Sequence, residues 1–306
     1  MRVLLIGGTG FIGRHLAARL VADSHQVLVP TRRYGKGRDL LLLPTVTLLD
    51  VDVHDDAALD GAVAGCDAVV NLVGLLHGRR GRPYGKDFRQ VHVELPRRIA
   101  QACRRHGVAR LLHVSALGAS AQGPSAYHRS KADGEQAVIE AFAGYEQGAC
   151  TIFRPSVVFG PDDNFMNLFA RLARWLPVIF LAGARARLQP VYVGDVVKAM
   201  VNSLRDSHTY GKTYALAGYQ AYTLAELVSL AARWSGRPRP VIPVPMAVGR
   251  LQACMLGLLP GPPVLSQDNL DALRADSVCQ APMAPELGVF PTPLESIAPR
   301  YLKAPQ

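Results

Sequence analysis

Residues 3–16 read Val-Leu-Leu-Ile-Gly-Gly-Thr-Gly-Phe-Ile-Gly-Arg-His-Leu, and no other stretch restricts the fold so tightly. An apolar run stops at Gly7 and Gly8. Apolar residues then return at helical spacing through Phe11, Ile12, Leu16, Leu20 and Val21. This is the pattern of a buried strand, a tight turn and a helix start. Glycine at such a turn lets the backbone approach a ligand closely, because no Cβ stands in the way. The unpaired N–H groups of the helix start, with the positive end of its dipole, favour a phosphate there. The spacing Gly7-x-x-Gly10-x-x-Gly13, in which Gly8 also fits G-x-G-x-x-G, predicts a pyrophosphate cradle made by Gly7, Thr9, Gly10, Phe11 and Ile12. The competing reading is a glycine turn that serves packing alone.

Short apolar strands then alternate with helical patterns. Strands are expected at 2–6, 26–30, 46–49, 68–73, 110–114 and 151–158. Helices are expected at 10–23, 88–106, around Tyr127–Lys131, at 165–176 and at 222–233. Pro96 predicts a kink or break inside the second long helix. The alternation defines an α/β chain with a doubly wound parallel sheet, the Rossmann arrangement. Beyond Pro161 the texture changes. Residues 191–197 resemble a strand-to-helix step, 214–216 a last strand, and the tail from Pro282 reads as irregular. We expect a dinucleotide-binding domain over 1–220, with 161–188 contributing to a small lobe, and a small C-terminal lobe over 221–306. The apolar run 248–259 is expected to cover the lobe's own core; the alternative is a helix lying on a membrane or a partner.

The chain has 306 residues, 49% hydrophobic and 19% charged, enough for a sizeable folded core. A net charge of +10 fits nucleic acid, an anionic membrane surface, acidic ligands or simply an arginine-rich composition. Nucleic acid ranks low, because the arginines are scattered over loops without interleaved aromatics. The five cysteines, Cys66, Cys103, Cys150, Cys254 and Cys279, form no C-x-x-C pair. We therefore expect neither a metal site nor a disulfide framework, and a reducing, cytoplasmic setting. The first strand begins at once, so no signal peptide is expected, and no apolar run reaches the ~20 residues of a membrane span.

The end of the second strand chooses the cofactor. An acidic residue there holds the ribose 2′-hydroxyl, whereas arginine accepts a 2′-phosphate. Here Thr31 is followed by Arg32 and Arg33, which favours NADP(H) over NAD(H) through charge-assisted hydrogen bonds. Asp52 either accepts from the adenine amino group or caps the next helix. Val73 and Gly74, at the end of the fourth strand, let the backbone pass the cofactor. The basic, glycine-rich loop 77–86 either reaches an anionic group or is a solvated surface loop. Ser115 ends the fifth strand, where open parallel sheets place ligands. Tyr127 and Lys131 are four apart, so a helix stacks them on one face. The Lys131 ammonium is expected to favour phenolate at Tyr127 and lower its pKa. Such a tyrosine exchanges a proton with an alcohol or carbonyl while hydride moves to or from a nicotinamide.

Together, the glycine turn, Asn71-Leu72-Val73-Gly74, Tyr127-x-x-x-Lys131, Arg154-Pro155-Ser156-Val157-Val158-Phe159-Gly160 and Val191-Tyr192-Val193-Gly194-Asp195 resemble the extended and atypical branches of the short-chain dehydrogenase/reductase superfamily, over roughly residues 1–220. Leu28-Val29-Pro30-Thr31-Arg32, His113-Val114-Ser115-Ala116-Leu117-Gly118-Ala119 and Gln189-Pro190-Val191-Tyr192-Val193 resemble the branch of the nucleotide-binding accessory subunit of respiratory complex I and its bacterial relatives. The resemblance implies a tightly held NADP(H), Pro155 and Val158 at the cofactor, and Ser115, Tyr127 and Lys131 as the catalytic set. It also implies a role near membranes or quinone metabolism, often structural or regulatory rather than catalytic. One departure stands out. The superfamily's Ser-Ser or Ser-Thr is here Ser115-Ala116, and loss of an oxyanion-side donor costs orders of magnitude in rate. Ser115 or Ser125 is the possible substitute.

Overall fold

The structure is a computed structural model, described here for residues 1–258 and 265–303. The sequence 2–6, with its β-branched and leucine residues buried on both faces, forms β1 (Arg2–Ile6), an interior strand of a seven-stranded sheet. In chain order follow α1 (Phe11–Ala22), β2 (Gln26–Thr31), β3 (Val46–Asp50), α2 (Asp56–Val63), β4 (Ala68–Asn71), α3 (Leu95–Arg105), β5 (Arg110–Val114), α4 (Ala126–Phe142) and β6 (Ala149–Pro155). The C-terminal part adds α5 (Met166–Trp175), β7 (Ile179–Ala182), α6 (Val193–Ser203), β8 (Thr213–Leu216), α7 (Leu224–Trp234), β9 (Val241–Val244), α8 (Met246–Leu256), α9 (Gln267–Ala272) and α10 (Leu294–Leu302). The sheet order is β8-β6-β5-β4-β1-β2-β3, and every pairing is parallel. The chain therefore reverses direction between β1 and β4, and ligands bind at such a switch point, outside the carboxyl ends of the strands.

Helices cover both faces. One core joins Val3, Leu5, Leu16 and Leu20 to α6; the other joins Leu4, Ile6 and Leu59 to α3 and α4. A third cluster is built by α5, α7 and α10 around Met166, Leu227 and Leu294. Burying apolar side chains at about 25 cal/mol per Å² makes these clusters the main source of stability.

Three expectations change. The tail from Pro282 is not irregular throughout, because Leu294, Ala298 and Leu302 recur every fourth residue and bury one face of α10. Around Pro96 the expected helix is not regular α throughout. A π-helical turn, Arg89–Glu94, precedes α3, and Pro96 sits in the first turn of that helix, where its missing N–H is tolerated. The run 248–259 covers a core only with its small residues, Ala253 packing with Ala182 and Leu270. On α8 only Gly249 and Ala253 are buried, while Val248, Leu251 and Met255 are 40%, 63% and 62% exposed, as is Leu258 just beyond it. The reason is steric: α8 meets β7 so closely that a Cβ on Gly249 would lie 2.3 Å from the Ala182 Cβ, so the small residues face inward and the large ones outward. Leu259 lies outside the described residues.

Buried Arg110, at the start of β5, ties the two halves together. Its guanidinium donates to the Ser203 carbonyl (2.8 and 3.1 Å), Thr151 Oγ1 (2.6 Å) and Thr209 Oγ1 (2.9 Å). All of these partners are neutral, and burial brings its pKa down to about 10.

Candidate nucleotide and carbonyl site

The glycine turn lies at the carboxyl end of β1. Gly7 has φ +86°, a left-handed conformation that glycine adopts without strain. A Cβ on Gly13 would fall 2.5 Å from Gly8 Cα, so the third glycine lets α1 press against the turn. Helix α1 has no side-chain cap and no acidic residue in its first turn. Its first N–H groups, at Phe11 and Ile12, lack helical partners and point at the turn formed by Gly7, Thr9 and Gly10.

Thr31 ends β2 and takes the Arg33 N–H on its hydroxyl (3.2 Å). The Arg32 guanidinium stands 3.9 Å from Asp52, with both side chains about half exposed. Asp52 is not the helix cap. Asp55 is, accepting from the Ala58 N–H, while Asp52 accepts from the His54 N–H in its own turn. At the end of β4, the Asn71 side chain accepts from the Val73 N–H (3.1 Å) and bonds the buried His113 ring (3.1 Å). A Cβ on the neighbouring Gly74 would be 3.4 Å from Lys131 Nζ.

Tyr127 and Lys131 both lie on α4; Lys131 reaches β5, while the Tyr127 ring packs against the cluster around Phe88 and Val93. Lys131 is buried, and its Nζ donates to the Val114 carbonyl (3.0 Å). Burial lowers its pKa to about 8, against the opposing pull of Glu135. Ser115 is buried and its hydroxyl has no partner; nor does His113 Nε2. Ala116 is buried beside them. Ser125 does not replace the missing hydroxyl. It caps α4, accepting from the His128 N–H (3.1 Å) and pairing with the His128 ring (3.0 Å). Pro155 ends β6, buried, and its carbonyl accepts from the Leu117 N–H (2.8 Å). Val158 is half-buried in the following short strand, Val158–Phe159.

The Tyr127 hydroxyl departs from expectation. Its pKa is pushed up to about 12 by burial, with a further push from the Asp268 carboxylate. The Lys131 ammonium is 6.0 Å from the ring centroid and does not offset this.

Two groups escaped the sequence reading. Asp268, on α9, accepts from the Ala126 N–H (2.7 Å) and the Tyr127 N–H (3.1 Å), so a residue 142 positions away in sequence fills the start of α4. Ser266 and Asn269 form a capping box that marks α9 in the sequence, but no local signal places it on α4. His92, in the π turn, accepts from the Leu75 N–H (2.9 Å), so its other nitrogen donates to Ser130, whose hydroxyl donates to the Tyr127 carbonyl (2.9 Å). Its ring lies 5.5 Å from that of Tyr127, and burial lowers its pKa to about 2, so it stays neutral. Its carbonyl packs where a Cβ on Gly134 would be, 1.9 Å away.

The donor set fits a nicotinamide dinucleotide. An open helix start faces a turn that side chains would obstruct, and a buried ammonium with one protein acceptor and an unpartnered hydroxyl lie along the same strand ends. The fold and these groups define a dinucleotide-binding protein of the short-chain dehydrogenase/reductase type. Residues 3–217 match the NAD dependent epimerase/dehydratase family, and the chain belongs to it.

The mitochondrial NADH dehydrogenase (ubiquinone) 1 alpha subcomplex subunit 9 of Mus musculus is 36% identical over 300 residues, covering 95% of this chain and 77% of that protein. A ceramide reductase of Caulobacter vibrioides is 30% identical over 241 residues, covering 78% and 72%. The UDP-glucuronic acid 4-epimerase of Bacillus cereus, solved with UDP-glucuronic acid and NAD, superposes with TM-score 0.73 at 18% identity over 99% of both chains. The resemblance to the complex I accessory subunit branch holds, and the family binds nicotinamide dinucleotides. Among the described residues no helix is long and apolar enough to cross a membrane.

Proposed function

We propose that this chain is an NADP(H)-binding reductase or epimerase-type enzyme of the atypical short-chain branch, acting on a small or lipid-like carbonyl compound linked to quinone or respiratory metabolism. The observation that carries this reading is Lys131, a buried ammonium with one protein acceptor, stacked with Tyr127 on α4 and facing Gly74. A nicotinamide, when bound, supplies the hydride. Gly7, Thr9 and Gly10 form the turn that admits the pyrophosphate, and the open main-chain N–H groups of Phe11 and Ile12 hold it. Lys131 holds the nicotinamide ribose with its free donors, and Val73, Gly74, Pro155 and Val158 line the cofactor's path. Tyr127 exchanges the proton with the substrate oxygen, and Ser115 donates to that oxygen in place of the hydroxyl missing at Ala116.

Arg32 and Arg33, exposed at the end of β2 with no acid on that strand end, support the 2′-phosphate over the free hydroxyl. Asp52, within reach of Arg32, serves the adenine side. The ceramide reductase relative supports an apolar carbonyl substrate. Oxidation of NADPH with a panel of quinones, long-chain ketones and sugar nucleotides tests this. Turnover abolished by Tyr127→Phe is expected, and no turnover with any carbonyl rejects the reductase reading.

A second reading has its own observations. Ala116 removes a donor, Tyr127 resists ionisation, and α8 presents an apolar face to solvent. These favour a cofactor-loaded protein that does not turn over and stabilises or senses redox state in a membrane-associated complex, cytoplasmic and peripheral at the inner face of a membrane. The complex I relatives support it. Flotation with vesicles containing phosphatidylglycerol, lost on Leu251→Glu, is its expected signature; a protein that never floats removes the membrane.

A further inference from the structure

Beside the start of α4 is a cavity of about 690 Å³ whose wall carries Arg79, Arg80, Arg82, Arg129 and Arg250. Two carboxylates, Asp268 and Asp271, share the wall, and both are engaged. Asp268 bonds the α4 main chain, while Asp271 pairs with Arg250 (3.3 Å) and Arg274 (3.6 Å). Arg79 is held by Asp87 at 2.8 Å. Among the described residues, Arg80, Arg82 and Arg129 therefore have no carboxylate partner. The Arg129 guanidinium is fixed by the carbonyls of Pro83 (2.8 Å) and Gly123 (2.7 Å), which orient it without neutralising it.

Guanidinium groups converging on one concavity, uncompensated, are suited to an oxyanion. None of the glycine-turn residues lines this cavity, so it is separate from the pyrophosphate cradle. Ala126 does line it, and the next residue is Tyr127. Asp268, in the same wall, accepts from the Tyr127 N–H (3.1 Å), so the pocket adjoins the main chain of Tyr127.

We propose that this pocket receives a carboxylate or phosphate group of the carbonyl substrate, and that the loop 77–86 thereby determines specificity; the proposal rests on the reductase reading above. The anion is unchanged by the reaction, and its part is to orient the carbonyl.

The test is a calorimetric titration of the protein saturated with NADPH, using decanoate, decyl phosphate, decanol and inorganic phosphate, all below micellar concentration. The two charged amphiphiles are expected to saturate, with decanol at least tenfold weaker, and the tighter head group identifies the anion. Arg80→Ala with Arg82→Ala should weaken the charged probes at least tenfold while decanol and NADPH stay within twofold. The paired lysine variants should recover part of the loss. Equal affinity for decanoate and decanol, no effect of the alanine pair, or displacement of NADPH by the charged probes each overturns the proposal. Inorganic phosphate binding as tightly as decyl phosphate also overturns it, leaving a free-anion site. So does binding to phosphatidylglycerol vesicles, lost in the alanine pair, with no monomeric probe bound. If no carbonyl is turned over while the charged probes still saturate, the reductase reading fails and the anion pocket stands.

Discussion

Two helices, α1 and α4, begin at the same carboxyl edge of the sheet, and their first turns are treated in opposite ways. Helix α1 starts at glycine, with no capping side chain and no acid in its first turn. Helix α4 starts with Ser125 as its cap and receives the Asp268 carboxylate on its first two N–H groups. Both starts carry the same partial positive charge. One is kept free for an anion from outside; the other is satisfied by an anion of the chain itself. The contrast separates a binding end from a positioning end: α1 grips, while α4 is held still so that Tyr127 and Lys131 keep their places.

The sharpest way to break the contrast is at the binding end. Gly13→Ala puts a Cβ 2.5 Å from Gly8, and the turn must open. Overpacking of this kind costs about 3 kcal/mol. Nicotinamide nucleotide affinity should fall by two orders of magnitude or more, read by fluorescence titration, with the denaturation midpoint falling as well.

Next in size is the choice between nucleotides. Arg32→Ala with Arg33→Ala removes two contacts made by exposed side chains, about 1–1.5 kcal/mol each. NADPH should weaken tens- to hundredfold and NADH by no more than about twofold, since only the former carries the 2′-phosphate. Wild-type affinity equal for both nucleotides would defeat the assignment.

The pH dependence comes third. Lys131 must be charged to hold ribose hydroxyls as a donor, and burial brings its pKa to about 8. Below that pH the ammonium is present and NADPH affinity should be flat. Above it the free protein has lost the proton that the complex retains, so affinity should fall by up to about tenfold per pH unit. A flat profile to pH 10 would show that Lys131 does not bind as an ammonium.

The smallest effect sharpens the other end. Asp268→Asn keeps one acceptor for the α4 main chain but removes the charge, at about 1 kcal/mol of stability. Because that carboxylate raises the Tyr127 pKa, the pKa should move down from about 12, seen in an ultraviolet tyrosinate titration. An unchanged titration would separate the two residues electrostatically.

The same contrast explains what could be read in advance. The α1 end is encoded locally: glycine, strand and helix period lie within fourteen residues, and the expected first strand, 2–6, coincides with β1. Tyr127 and Lys131 were legible for the same reason, since a four-residue spacing fixes a shared helix face. The α4 end was legible only in part: its cap, Ser125, is adjacent in sequence, but the Asp268 carboxylate on its first N–H groups comes from 142 residues away. Burial likewise follows from tertiary packing, so Tyr127 moved up where a neighbouring ammonium alone would have moved it down. Helix α8 shows the limit from the other side. Periodicity gave it an apolar face, but only the contact of Gly249 with Ala182 decided which way that face turned.

Arg110 makes completion of the early strands depend on chain made much later. Its acceptors at Ser203 and Thr209 lie 93 and 99 residues downstream, so a fragment truncated near residue 160 would lack both these acceptors and the Tyr210 ring stacked on the guanidinium. During synthesis the amino-terminal strands can assemble around β1, but β5 cannot settle until residues 203–209 have left the ribosome. A protease-resistant core should therefore appear only in nascent chains longer than that point.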